Sequence, residues 1–314
     1  MRVLLATDGS PTAQSAVDFV AGFPFPDGSE VRIVTVIRDV LREQEVAILT
    51  PEQRSEYETA RSIEQADHEK AFSRDSATLR GAGWSIDTEI RRGDPADEII
   101  RASDEHDVDV IVLGSHGMTG FRRFLLGSVS NQVLQSASRS VLIVRKPEEE
   151  CKGGMAQPPA VTDHPWRFLI GYDGSPPSDQ AIDFCTNLAL DDRATVKLLT
   201  VLPMVHLFRQ DIRQEMNWIW QKKKESEKAS LEAASDRMQQ GPARVTTELA
   251  EATDVSDAIL AAADEFAADL IILGHKGKGS IERFLMGSVT PRIAHHSCRS
   301  VLAIRWIGTQ ATGA

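Results

Sequence analysis

The chain has 314 residues, 41% of them hydrophobic and 26% charged, with a formal net charge of −11 at pH 7. These values are typical of a globular chain of two domains, and the acidic balance argues against nucleic acids or anionic membranes as partners, because both require a basic surface. The three cysteines have no paired spacing, which argues against a disulfide framework and a zinc site, and no apolar run approaches the ~20 residues of a membrane span. We expect a cytoplasmic protein.

Strands and helices are predicted to alternate through the first half of the chain. Helices are predicted to begin at Ser10, Thr50, Asp94 and Ser128, and a proline follows each of the first three. Gly22 is predicted to end the first helix in a left-handed conformation. Strands are predicted over five short apolar or alternating segments: 2–6, 31–37, 85–90, 108–113 and 141–144.

The second half follows the same course, with strands predicted at 167–171, 195–201, 244–249, 270–273 and 301–304. This alternation is typical of doubly wound α/β domains with parallel sheets. Between the halves, runs of glutamate, glycine and proline have the composition of a linker. We therefore expect a first domain at 1–147, a linker at 148–165, a second domain at 166–307 and a tail at 308–314.

A glycine-serine pattern with the spacing G-x2-G-x9-G-S occurs twice, 160 residues apart: Gly114, Gly117, Gly127 and Ser128, then Gly274, Gly277, Gly287 and Ser288. Each copy begins after an apolar strand and ends where a helix is predicted. Helix N-termini present partly positive N–H groups, and glycines let the backbone approach phosphate oxygens closely. The pattern therefore indicates a duplicated phosphate-binding loop. The alternative is that the first glycine only ends a strand and the serine only caps a helix.

An aspartate follows the first strand of each half, at Asp8 and at Asp173. In parallel sheets this carboxyl edge is where ligands bind. A carboxylate there can accept hydrogen bonds from ribose hydroxyls or lie near a magnesium ion. The alternative is an ordinary Asp-Gly turn, since glycine follows both aspartates.

With these motifs the chain resembles a tandem of two universal stress protein domains. Beside the Mg²⁺ ion that the aspartates indicate as accompanying ATP, the resemblance implies two repeated Rossmann-like domains, each a five-stranded parallel sheet flanked by helices, with one ATP site per domain. In the first domain it implies ribose, adenine and phosphate contacts from Asp8, Val36, Leu113, Gly114, Gly117, Gly127, Ser128 and Val129. In the second it implies the same contacts from Asp173, Val201, Leu273, Gly274, Gly277, Gly287, Ser288 and Val289.

Two of the differences between the copies bear on the resemblance. Thr253 stands where the first half has Gly93, and Gly171 stands where the first half has Ala6. At the floor of its pocket the second copy therefore matches the family pattern less well than the first.

A loop that supplies N–H groups and one hydroxyl binds phosphate equally in the ground state and the transition state, and such uniform binding does not raise a rate. We therefore expect an ATP-binding stress-response or signalling protein that acts through nucleotide-dependent conformation or partner binding. The alternatives are a slow ATPase or phosphotransfer enzyme, in which His116 and His275 orient a water molecule, and a nucleotide-free scaffold. Loop cations such as Arg123 and Lys278 either contact phosphate or are only solvated.

The duplicated organisation also suggests how the chain assembles. A short linker raises the effective concentration of one domain near the other. The predicted strands at 141–144 and 301–304 are apolar enough to pair if they lie at sheet edges. We expect a pseudo-dimer of the two domains within the chain and a homodimer of chains.

Overall fold

The computed structural model describes residues 1–39, 41, 43–117, 126–145, 165–204, 210–275 and 287–305. The chain separates into two compact units, whose largest segments are residues 28–146 and 163–314. Three features of the sequence analysis lie outside the described residues: Gly277, the predicted linker segment from 148 to 162, and the predicted tail. Among the described residues, no helix is both long enough and apolar enough to cross a bilayer.

The first unit is an α/β sandwich built on parallel strands. Its elements in chain order are β1 (Arg2–Ala6), α1 (Pro11–Gly22), β2 (Glu30–Ile37), α2 (Glu43–Ala47), α3 (Pro51–Gly81), β3 (Ser85–Arg92), α4 (Pro95–Glu105), β4 (Val110–Gly114), α5 (Ser128–Ser136) and β5 (Ser140–Val144). The strands lie in the order β3-β2-β1-β4-β5, and every pair is parallel.

The second unit repeats this arrangement. Its elements are β6 (Arg167–Gly171), α6 (Pro176–Thr186), β7 (Thr195–Pro203), α7 (Gln210–Met238), β8 (Arg244–Ala252), α8 (Val255–Glu265), β9 (Leu270–Gly274), α9 (Val289–His296) and β10 (Ser300–Ile304). Its strands lie in the parallel order β8-β7-β6-β9-β10. The predicted fold class is therefore confirmed: each unit is Rossmann-like, with five parallel strands flanked by helices.

Local chemistry explains the helix starts. The Ser10 hydroxyl accepts a hydrogen bond from the Ala13 N–H group at 3.1 Å, and Thr50 and Gln53 form a reciprocal capping box. The predicted left-handed end at Gly22 is wrong, since the glycines with positive φ lie elsewhere. Phe23 instead ends α1 in an extended conformation. The short helix α2 was not predicted, because five residues in a polar stretch show no periodicity.

The strand order creates a switch point in each sheet. From β1 the chain moves outward to β2 and β3, then returns to the other side of β1 to form β4 and β5. The helices that follow β1 and β4 therefore diverge on either side of a crevice at the carboxyl ends of these strands. All five residues of β4 are buried, so the crevice has a rigid, apolar base.

Candidate functional site

A cleft of about 630 Å³ lies at the carboxyl edge of the first sheet. It is lined by all eight residues that the sequence predicted for this unit: Asp8, Val36, Leu113, Gly114, Gly117, Gly127, Ser128 and Val129. The structure thus brings together residues from the ends of three strands and the start of α5. Such a volume is within the range of about 300–1,000 Å³ that is usual for small-molecule sites.

The second unit has a matching cleft of about 490 Å³. Seven predicted residues line it: Asp173, Val201, Leu273, Gly274, Gly287, Ser288 and Val289. The eighth, Gly277, lies outside the described residues. Both predicted sets therefore meet in one cleft per unit, as far as the structure describes them.

Gly114 of the first cleft is required by the packing of the chain itself. A Cβ atom on Gly114 would lie 2.7 Å from the backbone carbon and oxygen of Thr12 in α1. Real Cβ atoms do not come this close to backbone atoms, so glycine allows α1 and β4 to meet beside the cleft. A Cβ atom on Gly117 would lie 2.7 Å from Oδ2 of Asp8, which is the end of a side chain.

The segment that returns to the helix is held identically in both units. The Gly127 N–H group donates to the Ser115 carbonyl at 2.8 Å, and the Gly287 N–H group donates to the His275 carbonyl at 2.9 Å. These bonds close the loop over the end of the preceding strand. They fix the position from which each helix starts.

A hydroxyl two residues after each predicted serine anchors the helix to the strand. Ser130 donates to the Gly114 carbonyl at 2.8 Å, and Thr290 donates to the Gly274 carbonyl at 2.8 Å. Sequence reasoning missed these residues. The signal was present, because both halves have a hydroxyl side chain at this position.

The side chain of the serine at the helix N-terminus makes no capping hydrogen bond. Gly127 is the N-cap residue of α5 and Ser288 is that of α9, and neither helix has a side-chain hydrogen bond at its cap. Ser128 and Ser288 are both exposed at the mouth of their clefts. The alternative in which Ser128 only caps the helix is therefore wrong. Its hydroxyl is placed where a ligand at the helix N-terminus would meet it.

The aspartates form the Asp-Gly turns considered from the sequence and also line the clefts. Oδ1 of Asp8 accepts a hydrogen bond from the Ser10 N–H group, and Asp173 accepts one from Ser175, both at 3.0 Å. The glycine after each aspartate has a positive φ, of 76° and 68°, so the Asp-Gly turn is present. Each aspartate also lines its cleft. The turn therefore holds the carboxylate at the edge of the cleft.

A buried polar pair connects the first cleft to the long helix α3. The Thr7 hydroxyl donates to Oδ2 of Asp75 at 2.7 Å, and Arg74 pairs with Oδ1 of the same carboxyl group at 3.0 Å. Thr7 lines the cleft, and the Asp75 side chain is fully buried. The helix is thus bonded to the residue that precedes Asp8.

The two loop histidines are held by the protein in different ways. Nδ1 of His116 lies 3.0 Å from the Ser115 hydroxyl, whereas Nδ1 of His275 lies 3.1 Å from the carbonyl oxygen of Ile304. Both histidines line their clefts. The loop cations named above, Arg123 and Lys278, lie outside the described residues.

One group of side chains in the described part of the chain is compact enough to share a metal ion: Glu89, Glu105 and His106. None of the three lines either cleft. The Arg91 guanidinium already contacts both carboxylates, at 2.8 Å from Glu89. Its hydrogen bond holds the pKa of Glu105 below the usual range. This group is therefore a compensated ion cluster rather than a metal site.

Fold and clefts together define a tandem α/β protein with one crevice at the switch point of each unit. The profile of the Universal stress protein family matches residues 1–145 and 167–305. The chain belongs to the universal stress protein family and contains two of its domains in tandem.

Individual relatives agree with this assignment. A universal stress protein of Methanocaldococcus jannaschii is 30% identical over 48% of this chain and 84% of its own length. One of Mycolicibacterium smegmatis is 28% identical over 71% of this chain and 70% of its own. The crystal structure of a universal stress protein from Archaeoglobus fulgidus covers 97% of this chain and 98% of its own, with a TM-score of 0.64 and 20% identity. The last likeness concerns the fold alone.

Proposed function

We propose that each domain binds one adenine nucleotide, ATP, and that occupancy of the two clefts controls the conformation or the partners of a stress-response protein. The proposal rests on one observation above all. In both clefts, the serine at the helix N-terminus has a hydroxyl that makes no capping hydrogen bond. This serine lines the same crevice as an aspartate that is held by its own turn. The first feature suits phosphate and the second suits ribose.

The phosphate end of the proposed site is the start of α5 or α9. The first N–H groups of a helix have no partners within the helix and carry partial positive charge, which favours an anion. Ser128 and Ser288 add a hydroxyl donor at this point. These local donors are needed because the net charge of −11 makes the surroundings unfavourable to an anion.

The nucleoside end of the proposed site lies along the ends of the strands. Asp8 accepts hydrogen bonds from ribose hydroxyls, and Val36 and Leu113 supply apolar contact for the base. Leu113 is buried in the cleft floor. Asp173, Val201 and Leu273 take the same roles in the second cleft. When Mg²⁺ accompanies ATP, it neutralises phosphate charge, and the exposed Ser128 hydroxyl is an oxygen ligand of the type that this ion accepts.

We propose that ATP is bound without efficient hydrolysis. Phosphoryl transfer requires a residue that orients the nucleophile and a cation that stabilises the transition state. Among the described residues of the first cleft, the groups near the helix N-terminus are backbone N–H groups, one serine hydroxyl and His116. N–H groups and a hydroxyl bind the phosphates alike before and during reaction. The proposed role is thus that of a sensor.

Titration calorimetry of ATP tests the binding proposal. The wild-type chain is expected to bind two ATP molecules, whereas Gly127→Val and Gly287→Val are each expected to bind one. Because a side chain on Gly127 also approaches His116 Cα at 3.2 Å, Asp8→Asn and Asp173→Asn serve as variants that keep the turn. They are expected to weaken one site each. An unchanged stoichiometry and affinity in all four variants would contradict the proposal.

Phosphate release tests the absence of efficient turnover. We expect a steady-state rate far below ~1 s⁻¹, the low end of typical enzymes. A rate at or above this value that is abolished by His116→Ala or His275→Ala would place the protein among ATP hydrolases. Calorimetry of the same variants separates loss of turnover from loss of binding.

A further inference from the structure

The two clefts differ in the side chains that the long helices contribute. Helix α3 places Glu64 and His68 in the first cleft, and α7 places Lys223 and Glu227 in the second. Each pair is four residues apart, so both of its members lie on the same face of their helix. On the helical wall of each cleft we call the first position of the pair, at Glu64 or Lys223, the outer position. We call the second, at His68 or Glu227, the inner position.

Matching interactions at the sheet edge establish which positions correspond. The Gln65 side chain accepts a hydrogen bond from Arg92, the last residue of β3, at 2.7 Å. Lys224 donates to Glu251, near the end of β8, at 2.6 Å. Gln65 therefore corresponds to Lys224, 159 residues later. With the same offset, the outer positions are Glu64 and Lys223, and the inner positions are His68 and Glu227.

The inner position is the one beside the aspartate turn. A Cβ atom on Gly9 would lie 2.9 Å from Cβ of Ala71, so α3 touches the Asp-Gly turn at that residue. In the second unit Ser230, the counterpart of Ala71, forms a side-chain hydrogen bond with Tyr172. His68 and Glu227 stand one helical turn before these contacts. The outer positions stand two turns away, about 10 Å along the axis.

The nucleoside end of the second cleft therefore contains two carboxylates, Asp173 and Glu227. The corresponding end of the first cleft contains one, Asp8, together with His68. The ends of strands β2 and β7 supply a further difference between the clefts.

At the end of β2 the first cleft has Arg38, and at the corresponding position of β7 the second has Pro203. His68 and Arg38 thus supply the first cleft with N–H donors for an anion, since a histidine ring has an N–H donor in either protonation state and the Arg38 guanidinium, 3.9 Å from Asp94, is 62% exposed. At the corresponding positions of the second cleft, the Glu227 carboxylate only accepts and the Pro203 side chain neither donates nor accepts.

We propose that the two clefts select different nucleotides at the ribose. The second cleft requires free ribose hydroxyls, because hydroxyls donate to carboxylates and a phosphate group is repelled by two of them. The first cleft also accepts a nucleotide with a phosphate on its 3′ oxygen, which His68 and Arg38 bind. This inference rests on the proposed function, in which the aspartates contact ribose.

The number of sites that accept adenosine 3′,5′-bisphosphate tests the inference, with AMP as the ligand that lacks only the 3′-phosphate. Calorimetry of the wild-type chain is expected to show one site for the bisphosphate and two for ATP. Exchanging the inner residues should change this number. Glu227→His is expected to give two bisphosphate sites, and His68→Glu none, with at least a tenfold change in affinity at the altered cleft.

Exchange at the outer position is the matched control. Glu64→Lys and Lys223→Glu change the side-chain charge by at least as much as the inner exchanges do. Because these two residues lie one helical turn further from the ribose, the number of bisphosphate sites should remain one. Two bisphosphate sites in the wild type, or a count that follows the outer exchange and not the inner one, would overturn the inference. If neither ATP nor AMP bound at all, the proposed function itself would fail, and that result is distinct from equal binding of the bisphosphate by both clefts.

Discussion

The side chain of Leu273 occupies the space that a methyl group on Gly171 would need, since a Cβ atom there would lie 2.5 Å from Leu273 Cδ2. In the first unit the corresponding residues are Ala6 and Leu113, and both line the cleft. The sequence has glycine in the second floor where the first has alanine. The structure supplies the reason, because the leucine of the second floor reaches into space that the alanine methyl fills in the first.

Gly171→Ala is expected to weaken ATP binding at the second cleft by about tenfold, or ~1.4 kcal/mol. The new methyl group displaces Leu273, which we place against adenine. The second change Leu273→Val removes the clashing δ-carbon and should restore most of the affinity. Calorimetry checks both, and Ala6→Gly in the first cleft is the reciprocal control. Full affinity in Gly171→Ala would show that Leu273 does not contact the base.

Gly114→Ala is expected to destabilise the first domain by about 1–3 kcal/mol. Its methyl group would lie 2.7 Å from backbone atoms of Thr12, which cannot yield as a side-chain end can. Gly81→Ala is the control, because nothing lies within 4 Å of a Cβ atom there. Denaturant unfolding should show a loss only for the first variant. Equal stability of the two would contradict the close packing of α1 on β4.

Thr7→Val is expected to destabilise the first domain by about 1–3 kcal/mol, because it leaves a buried carboxyl oxygen of Asp75 without its hydroxyl donor. Thr35→Val is the matched control. The Thr35 hydroxyl is also buried but donates to a neutral carbonyl, that of Thr7, at 3.0 Å. Loss of this hydrogen bond should lower the free energy of unfolding by less, about 0.5–1.5 kcal/mol. The reverse order in urea unfolding would argue against the hydrogen bond from Thr7 to Asp75 as the stronger of the two.

Ser128→Ala is expected to weaken ATP binding at the first cleft several-fold while leaving stability nearly unchanged, since its hydroxyl makes no capping bond. Ser10→Ala should behave in the opposite way. Its hydroxyl accepts the Ala13 N–H group, and loss of such a cap costs about 0.5–2 kcal/mol. Calorimetry and thermal unfolding of both variants separate the two roles. A large stability loss in Ser128→Ala would contradict the assignment.

Cys185 is expected to resist alkylation in the folded protein up to pH 9. Burial raises the pKa of its thiol to about 12, and the thiolate is the reactive form. Cys298 is partly exposed and serves as the internal control, with iodoacetamide labelling measured per peptide by mass spectrometry. Labelling of Cys185 should begin only on unfolding, so that equal labelling of both cysteines in the native state would contradict the buried position.

The candidate site was predictable where local rules govern it. The pattern from Gly114 to Ser128 and the turn at Asp8 are set by residues close in sequence, and the carboxyl edge of a parallel sheet brings them together. The contributions of α3 were not predictable in this way. A helix of 31 residues with mostly polar side chains has no evident buried face, so nothing local indicates that Glu64 and His68 face the cleft.

The sequence by itself determined the repeat, the alternation of strands and helices, the capped helix starts and the paired loops, because each depends on spacing or on short-range hydrogen bonds. Tertiary structure decided the rest. Buried Leu79 and Asp75 fix the rotation of α3 against the sheet, and this rotation selects which side chains line the cleft. In the same way, the space beside Gly171 is defined only when β6 and β9 pair, since packing joins residues a hundred positions apart.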